Sequence, residues 1–335
     1  MGCWLSRAAD RSKAYEVKEA DQPTIQAYTW DAAQRPDPKD FMLTNLKGET
    51  RVRLPGSING QQFIIENCED CNIYLFDHSA AVTLDDCKNC RIFVGPVESS
   101  IFIRDCSDCK CVVVCRQFRT RDCHRCDCLL FCRTQPIIES STKMGLGCYD
   151  YNYKGLTDHL QAVQMSIWHN FWSRIHDFTP DAANWHFLPE ETTTERLLGP
   201  LPEACQELRP TADSKGVVVT RGERPALSQE YCWILFPPAT AGNAYDFASQ
   251  AAALNLTLLR SNEAKMDASM AASIVEKAGW AHSLSQTLQS GNCVGLEFGG
   301  EACVMKLAPL AEKAGVVFTA NPEVPAVFRY HGVDG

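Results

Sequence analysis

The sequence lacks three features that would each have pointed to a common class of protein. No run of apolar residues approaches the length of a transmembrane helix. No secretory signal is present, and no glycine-rich loop of the kind that cradles phosphate groups appears. We therefore expect a chain that does not cross a membrane and does not bind a nucleotide through such a loop.

Basic residues are fewer than acidic ones: the sequence has 32 Lys and Arg and 41 Asp and Glu, which gives a net charge of -9. This acidic balance argues against a nucleic-acid-binding protein. Within this acidic sequence, five arginines form a local cluster: Arg116, Arg119, Arg121, Arg125 and Arg133. A solvated strand face is the ordinary interpretation of such a cluster. A basic surface on an acidic protein also suits an anionic partner.

Cysteine, in contrast, is abundant, and most of it follows a repeat. Four Cys-x-x-Cys pairs succeed one another at intervals of 19, 19 and 17 residues: Cys68/Cys71, Cys87/Cys90, Cys106/Cys109 and Cys123/Cys126. Each pair follows an Asn or Asp and precedes a short run with high β propensity. A unit this short cannot bury its own apolar face, so its copies must stack. We predict a right-handed parallel β-helix.

The residues before each cysteine pair predict which side chains face inward. Period-two alternation places these pairs inside: Phe63/Ile65, Val82/Leu84, Ile101/Ile103 and Phe118/Thr120. Arg119 and Arg121 then point outward together, with Arg104 on the neighbouring coil about 4.8 Å away.

The cysteines allow other interpretations. Their spacing is also that of a zinc ribbon, and redox or disulfide chemistry is a further alternative. Four pairs with no grouping into fours, and more cysteines inside apolar strands, favour a structural role as small apolar side chains. We assign no metal-binding residue, and we expect free thiols in a reducing compartment.

The amino terminus matches an acylation pattern. Gly2, exposed when Met1 is removed, is predicted to carry a myristoyl chain, and Cys3 a palmitoyl chain. Two chains are expected because one binds membranes only marginally. An unmodified terminus is the alternative. Residues 1–35 are polar and aperiodic and are predicted to form a flexible tether.

The remaining chain is predicted to form two domains. The β-helix domain spans 36–188, and its segment 158–173 has apolar residues at helical spacing that predict a helix capping the open end of the stack. Residues 189–228, rich in Glu, Thr, Pro and Arg, are predicted to be a linker. Residues 229–335 alternate strands and helices, which predicts a small ferredoxin-like α/β domain.

Several long motifs match a known family. They are Asp37-Pro-Lys-Asp-Phe, Leu54-Pro-Gly-Ser-Ile-Asn-Gly, Asn67-Cys-Glu-Asp-Cys, Phe76-Asp-His-Ser-Ala, Gln117-Phe-Arg-Thr-Arg-Asp-Cys and Thr134-Gln-Pro-Ile-Ile-Glu. The chain resembles the tubulin-folding cofactor C family, and specifically those members whose carboxyl half is similar to a nucleoside diphosphate kinase. That carboxyl half is not expected to be a working kinase.

The resemblance implies a GTPase-activating protein for the third member of the Arf-like small GTPases. The family's Gln-Phe-Arg motif falls on Gln117 to Arg119, so Arg119 is the implied arginine finger and Gln117 its catalytic neighbour. The resemblance further implies that the GTPase binds the GTP and magnesium and that this chain has no cofactor of its own.

The family's partner-binding positions fall on Arg116, Arg121, Glu139 and Phe178, although the family pattern has Gln where this chain has Arg116. The implied protein is a monomer on the cytoplasmic face of the plasma membrane and at the ciliary base, where the GTPase controls release of lipidated cargo. Two alternatives are an effector or scaffold that binds the GTP-loaded GTPase without catalysis, and activity in tubulin folding.

Overall fold

A computed structural model describes residues 36–211, 214, 216–225 and 230–329. The predicted tether, with Gly2 and Cys3, lies outside the described residues. The described residues from Phe41 onward belong to one compact unit, and the described residues before it include the start of a short 3-10 helix, Pro38–Phe41. Among the described residues, no helix is both long and apolar enough to span a bilayer.

Twelve strands form the first part of the compact unit, and all their pairings are parallel. They are β1 (Met42–Thr44), β2 (Thr50–Arg53), β3 (Phe63–Glu66), β4 (Asn72–Leu75), β5 (Val82–Asp85), β6 (Arg91–Arg104), β7 (Lys110–Arg121), β8 (Asp127–Cys132), β9 (Ile137–Glu139), β10 (Met144–Cys148), β11 (His176–Asp177) and β12 (Trp185–Phe187).

The strands make two ladders, which the long strands β6 and β7 join. The first ladder runs β1-β3-β5-β6-β7-β9-β11, and the second runs β2-β4-β6-β7-β8-β10-β12. The predicted parallel β-solenoid is therefore confirmed. Its predicted inward pairs, from Phe63/Ile65 to Phe118/Thr120, are all buried.

The corners between the ladders explain the cysteine motif. Asn67 and Asp70 both have positive φ, and each directly precedes a cysteine; the same arrangement recurs in the following coils. Asn and Asp tolerate this left-handed conformation better than most residues. Each turn sends the next side chain inward, so the cysteines of the four pairs are buried. None of the cysteines that the structure describes forms a disulfide. Among the described residues, no three thiols lie close enough together to share one metal ion. The structural role of the thiols stays a prediction.

The helix predicted over 158–173 is shorter and lies elsewhere. Helix α1 spans Leu156–Ala162, and the chain reverses soon afterwards at Gln164, where φ is 52°. Leu156 and Leu160 pack with Phe93 on the outer side of the second ladder. Trp172, from the same segment, joins the interior core of the solenoid. The prediction of a single capping helix is therefore wrong, because the apolar residues of this segment are divided between the outer side and the interior of the solenoid.

The stretch 189–228 contains helix α2 (Thr194–Leu198) and a 3-10 helix (Glu203–Leu208). Buried side chains from both, such as Leu197 and Cys205, join the cluster that covers the second ladder. Residues predicted as a linker thus also shield an apolar face of the solenoid. The domain boundaries themselves stay a prediction.

The last part of the chain is an α/β layer structure. Its elements are β13 (Tyr231–Phe236), α3 (Ala244–Ala253), β14 (Thr257–Lys265), α4 (Ala268–Ala278), α5 (Leu284–Gln289), β15 (Asn292–Gly299), α6 (Cys303–Ala314) and β16 (Val317–Thr319). The antiparallel sheet has the order β14-β15-β13-β16, as in ferredoxin-like folds. Apolar side chains of α3 and α6 cover one sheet face, and those of α4 and α5 cover the other. Its likeness to nucleoside diphosphate kinase stays a prediction.

Candidate functional site

Arg119 lies on the outer face of the first ladder, near the end of β7. The strand register places Phe102 of β6 on one side of it and Ile137 of β9 on the other. The side chain is exposed, and no described residue forms a hydrogen bond or an ion pair with its guanidinium. A backbone held between two neighbouring strands thus presents an unpaired cation between two apolar side chains.

The next row of the same face carries charges that are already paired. Arg104 pairs with Asp85, and the Nε atom of Arg121 lies 3.2 Å from Oδ2 of Asp122. Glu139 is opposite Arg121 in the register, yet among the described residues no basic group lies within ion-pair distance of its carboxylate. On this face, Arg104 and Arg121 each have an acidic partner, whereas Arg119 has none among the described residues.

Gln117 shares this face because it precedes Arg119 by two residues on β7. Its Oε1 atom accepts a hydrogen bond of 3.2 Å from the hydroxyl of Ser100 on β6. The bond holds the carboxamide and occupies one lone pair of its oxygen, while the amide N–H groups have no acceptor among the described residues. Gln117 can therefore donate to a partner beside Arg119.

Phe178 supplies an exposed aromatic ring at the edge of this face. The ring is 61% exposed, although the backbone N–H donates to the carbonyl of Ile138 at 2.9 Å. The imidazole of His176 packs edge-on against it with ring centroids 4.5 Å apart. An exposed ring on an anchored backbone is suited to contact another protein.

Arg116 does not share the orientation of Gln117 and Arg119. Its Nε atom donates to the carbonyl of Glu98 at 2.7 Å, and its own carbonyl accepts from the backbone N–H of Thr134. The structure thus brings five of the six predicted protein-contact residues onto one face and ties Arg116 to the adjoining backbone. The apolar neighbours of Arg119 were not predicted as site residues, although the outward register of Phe102 could have identified one of them.

The face that carries Arg119, Gln117, Arg121, Glu139 and Phe178 is called the arginine face below. The solenoid belongs to a recognised class, because residues 60–178 match the family model "Tubulin binding cofactor C". Over a longer range the chain is similar to "Protein XRP2" of three vertebrates. It is 43% identical to that of Xenopus laevis and 41% identical to that of Homo sapiens, in both cases over 91% of this chain and 88% of the relative. The Danio rerio protein is 44% identical over 85% of this chain and 77% of the relative. The chain belongs to the XRP2 family.

Proposed function

We propose that this protein activates GTP hydrolysis by an Arf-like small GTPase, the third member of that group, through an arginine supplied in trans. The observation that carries the proposal is the exposed Arg119, whose guanidinium has no hydrogen bond or ion pair among the described residues. The GTPase would hold the GTP and its magnesium ion, so this chain contributes only protein side chains.

The chemistry needs a cation at the point where negative charge develops. During phosphoryl transfer, charge spreads over the phosphoryl oxygens, and an arginine finger accelerates the step by about 10³ to 10⁵. Its planar fork of donors can bridge two oxygens. Because β7 pairs with β6 and β9 around Arg119, little backbone entropy has to be lost when the finger enters the GTPase.

The surroundings of Arg119 support docking as well as catalysis. Phe102 and Ile137 flank it in the register, and the exposed ring of Phe178 extends the apolar surface. Contacts of this kind exclude water, which strengthens the interaction between a guanidinium and phosphate. Gln117 would donate to the partner beside the finger, and Glu139 would accept from a switch loop that the γ-phosphate orders.

The test is single-turnover GTP hydrolysis by the Arf-like GTPase with wild-type protein and the Arg119→Ala variant. Stimulation should fall by about 10³ or more, whereas binding to the GTP-loaded partner should stay within about tenfold. Arg91→Ala, an exposed arginine on the second ladder, is the matched control and should retain full stimulation. Equal loss of binding and stimulation in Arg119→Ala would overturn the finger role. Tight binding without stimulation by the wild type would instead define an effector or scaffold.

The proposal extends to location. Acyl chains on Gly2 and Cys3 would hold the protein on the cytoplasmic face of the plasma membrane and at the ciliary base, where hydrolysis by the GTPase would control release of lipidated cargo. Gly2→Ala should then move the protein from the membrane fraction to the soluble fraction while stimulation in solution is unchanged. Membrane retention by Gly2→Ala would contradict acyl anchoring.

A second candidate is a role in tubulin folding, which the description of the matched family model favours. The same arginine face would then act on the GTP-binding subunit of tubulin. Measuring GTP hydrolysis by tubulin with wild type and Arg119→Ala distinguishes the two, because only the true substrate should show stimulation that depends on Arg119.

A further inference from the structure

A group of metal-ligand side chains lies away from the arginine face, between the turn after β4 and helix α1. Asp77 and His78 follow β4, and His159 belongs to α1. The Nδ1 atom of His78 is 3.2 Å from Oδ1 of Asp77, and the Nε2 atom of His159 is 3.5 Å from the same oxygen. Two imidazoles and a carboxylate thus converge at one point.

These separations match a tetrahedral ion site. Ligand atoms at about 2.0–2.1 Å from Zn²⁺ lie about 3.3 Å apart at the vertices of a tetrahedron. All three candidate ligand atoms lie within 4.8 Å of one another. The side chains of His78 and His159 are 21% and 12% exposed, so an ion can enter from solvent and a water can complete the site.

The protein holds Asp77 as a fixed acceptor. Its carboxylate is only 1% exposed, and its Oδ2 atom accepts from the backbone N–H groups of Ile58 and Asn59 at 2.7 and 2.8 Å. The Oδ1 atom accepts from the backbone N–H of His78 at 2.9 Å, and the same oxygen faces both imidazoles.

A hydroxyl lies beside the other ring nitrogen of His159. The Nδ1 atom lies 2.7 Å from the hydroxyl of Tyr153, which can accept a hydrogen bond from Nδ1–H and leave the lone pair of Nε2 free for an ion. Metal-binding histidines typically donate the other ring N–H to such a partner.

We propose that Asp77, His78 and His159 form a binding site for one Zn²⁺ ion that ties helix α1 to the solenoid. The set of two imidazole nitrogens and one carboxylate oxygen suits Zn²⁺, with a water as the fourth ligand. The sequence alone does not indicate this site, because His159 is 81 residues from His78 in the chain and only the fold brings the two together.

The test is titration of the reduced full-length protein with Co²⁺, which reports its ligands by absorption, followed by competition with Zn²⁺. We expect one Co²⁺ with tetrahedral absorption and no thiolate charge-transfer band, displaced by one Zn²⁺. His159→Gln and His78→Ala should each weaken binding by about 100-fold or more, since removing a ligand exceeds the cost of removing a supporting group. His186→Ala, an exposed histidine on β12, is the matched control and should bind as the wild type does.

Two results would overturn the proposal. A thiolate band would show that the cysteines bind the ion, and unchanged affinity in both histidine variants would exclude this site. Circular dichroism of each variant verifies its fold. Tyr153→Phe keeps the three ligands and removes only the hydroxyl beside His159, so a loss of about tenfold in affinity is expected from it.

Discussion

One arginine of the solenoid and two arginines of the α/β region are used in opposite ways. In the α/β region, Glu297 is 3% exposed and binds Arg329 through two hydrogen bonds of 2.6 and 2.7 Å, and Arg260 through a third of 3.2 Å. On the solenoid face, Arg119 is exposed and has no such partner among the described residues. Paired and buried charge supports a fold, whereas charge left unpaired on a rigid strand is available to another molecule.

The largest effect should come from changing the chemistry of the unpaired arginine without removing its charge. Arg119→Lys keeps a cation but loses the planar fork, so stimulated hydrolysis should fall by about 100-fold or more, within the range that a whole finger contributes. Rapid-quench measurement of GTP hydrolysis tests this, with Arg91→Lys as the control. Full stimulation by Arg119→Lys would mean that charge alone matters and would weaken the contrast between the regions.

The second prediction removes the charge of Glu297, the buried carboxylate that binds two arginines. Glu297→Gln should lower the free energy of unfolding by about 3 kcal/mol, because Arg329 loses the carboxylate that it binds through two hydrogen bonds, while Arg260 keeps its pair with Glu223. Chemical denaturation monitored by tryptophan fluorescence measures this loss. Glu301→Gln, at an exposed acidic residue nearby, should change stability by less than about 0.5 kcal/mol. A similar small change for Glu297→Gln would show that the buried network is dispensable.

The exposed ring of Phe178 should contribute to the binding of a partner and not to the stability of the fold. Phe178→Ala should weaken binding of the GTP-loaded GTPase by about tenfold, or 1.4 kcal/mol, while leaving the unfolding free energy within about 0.5 kcal/mol. Calorimetric titration and thermal denaturation measure the two quantities. Met305→Ala, at an exposed apolar residue of α6, should alter neither. A loss of stability in Phe178→Ala without loss of binding would assign this ring a structural role.

The smallest effect concerns Asp105, whose role is to adopt a left-handed backbone conformation. Asp105 is exposed and has a φ of 50° at a solenoid corner. Asp105→Ala should lower the free energy of unfolding by about 1 kcal/mol, since the left-handed region is unfavourable for alanine. Asp105→Asn removes the charge but keeps this tolerance, so its stability should equal that of the wild type in denaturant titrations. Equal losses in both variants would make the charge, and not the conformation, responsible.

Much of the solenoid could be predicted because its information is local and repeated. The cysteine pairs marked the corners, and alternation identified the inward side chains from Phe63 to Thr120. Helix α1 could not be placed in the same way, since the apolar pattern of 158–173 does not distinguish the end of the stack from its side. The arginine face was predicted from the register and the family motifs, but which acidic neighbour pairs with Arg121 depends on side-chain geometry.

The sequence by itself determined the repeat, the outward direction of Arg119 and the strand and helix alternation of the carboxyl half, because each depends on short-range periodicity. Only the tertiary structure decided which charges are paired, which apolar residues flank Arg119, and that His159 meets Asp77 and His78. Those facts depend on which strands and helices become neighbours, and contacts between residues far apart in the chain leave no periodic signal in a single sequence.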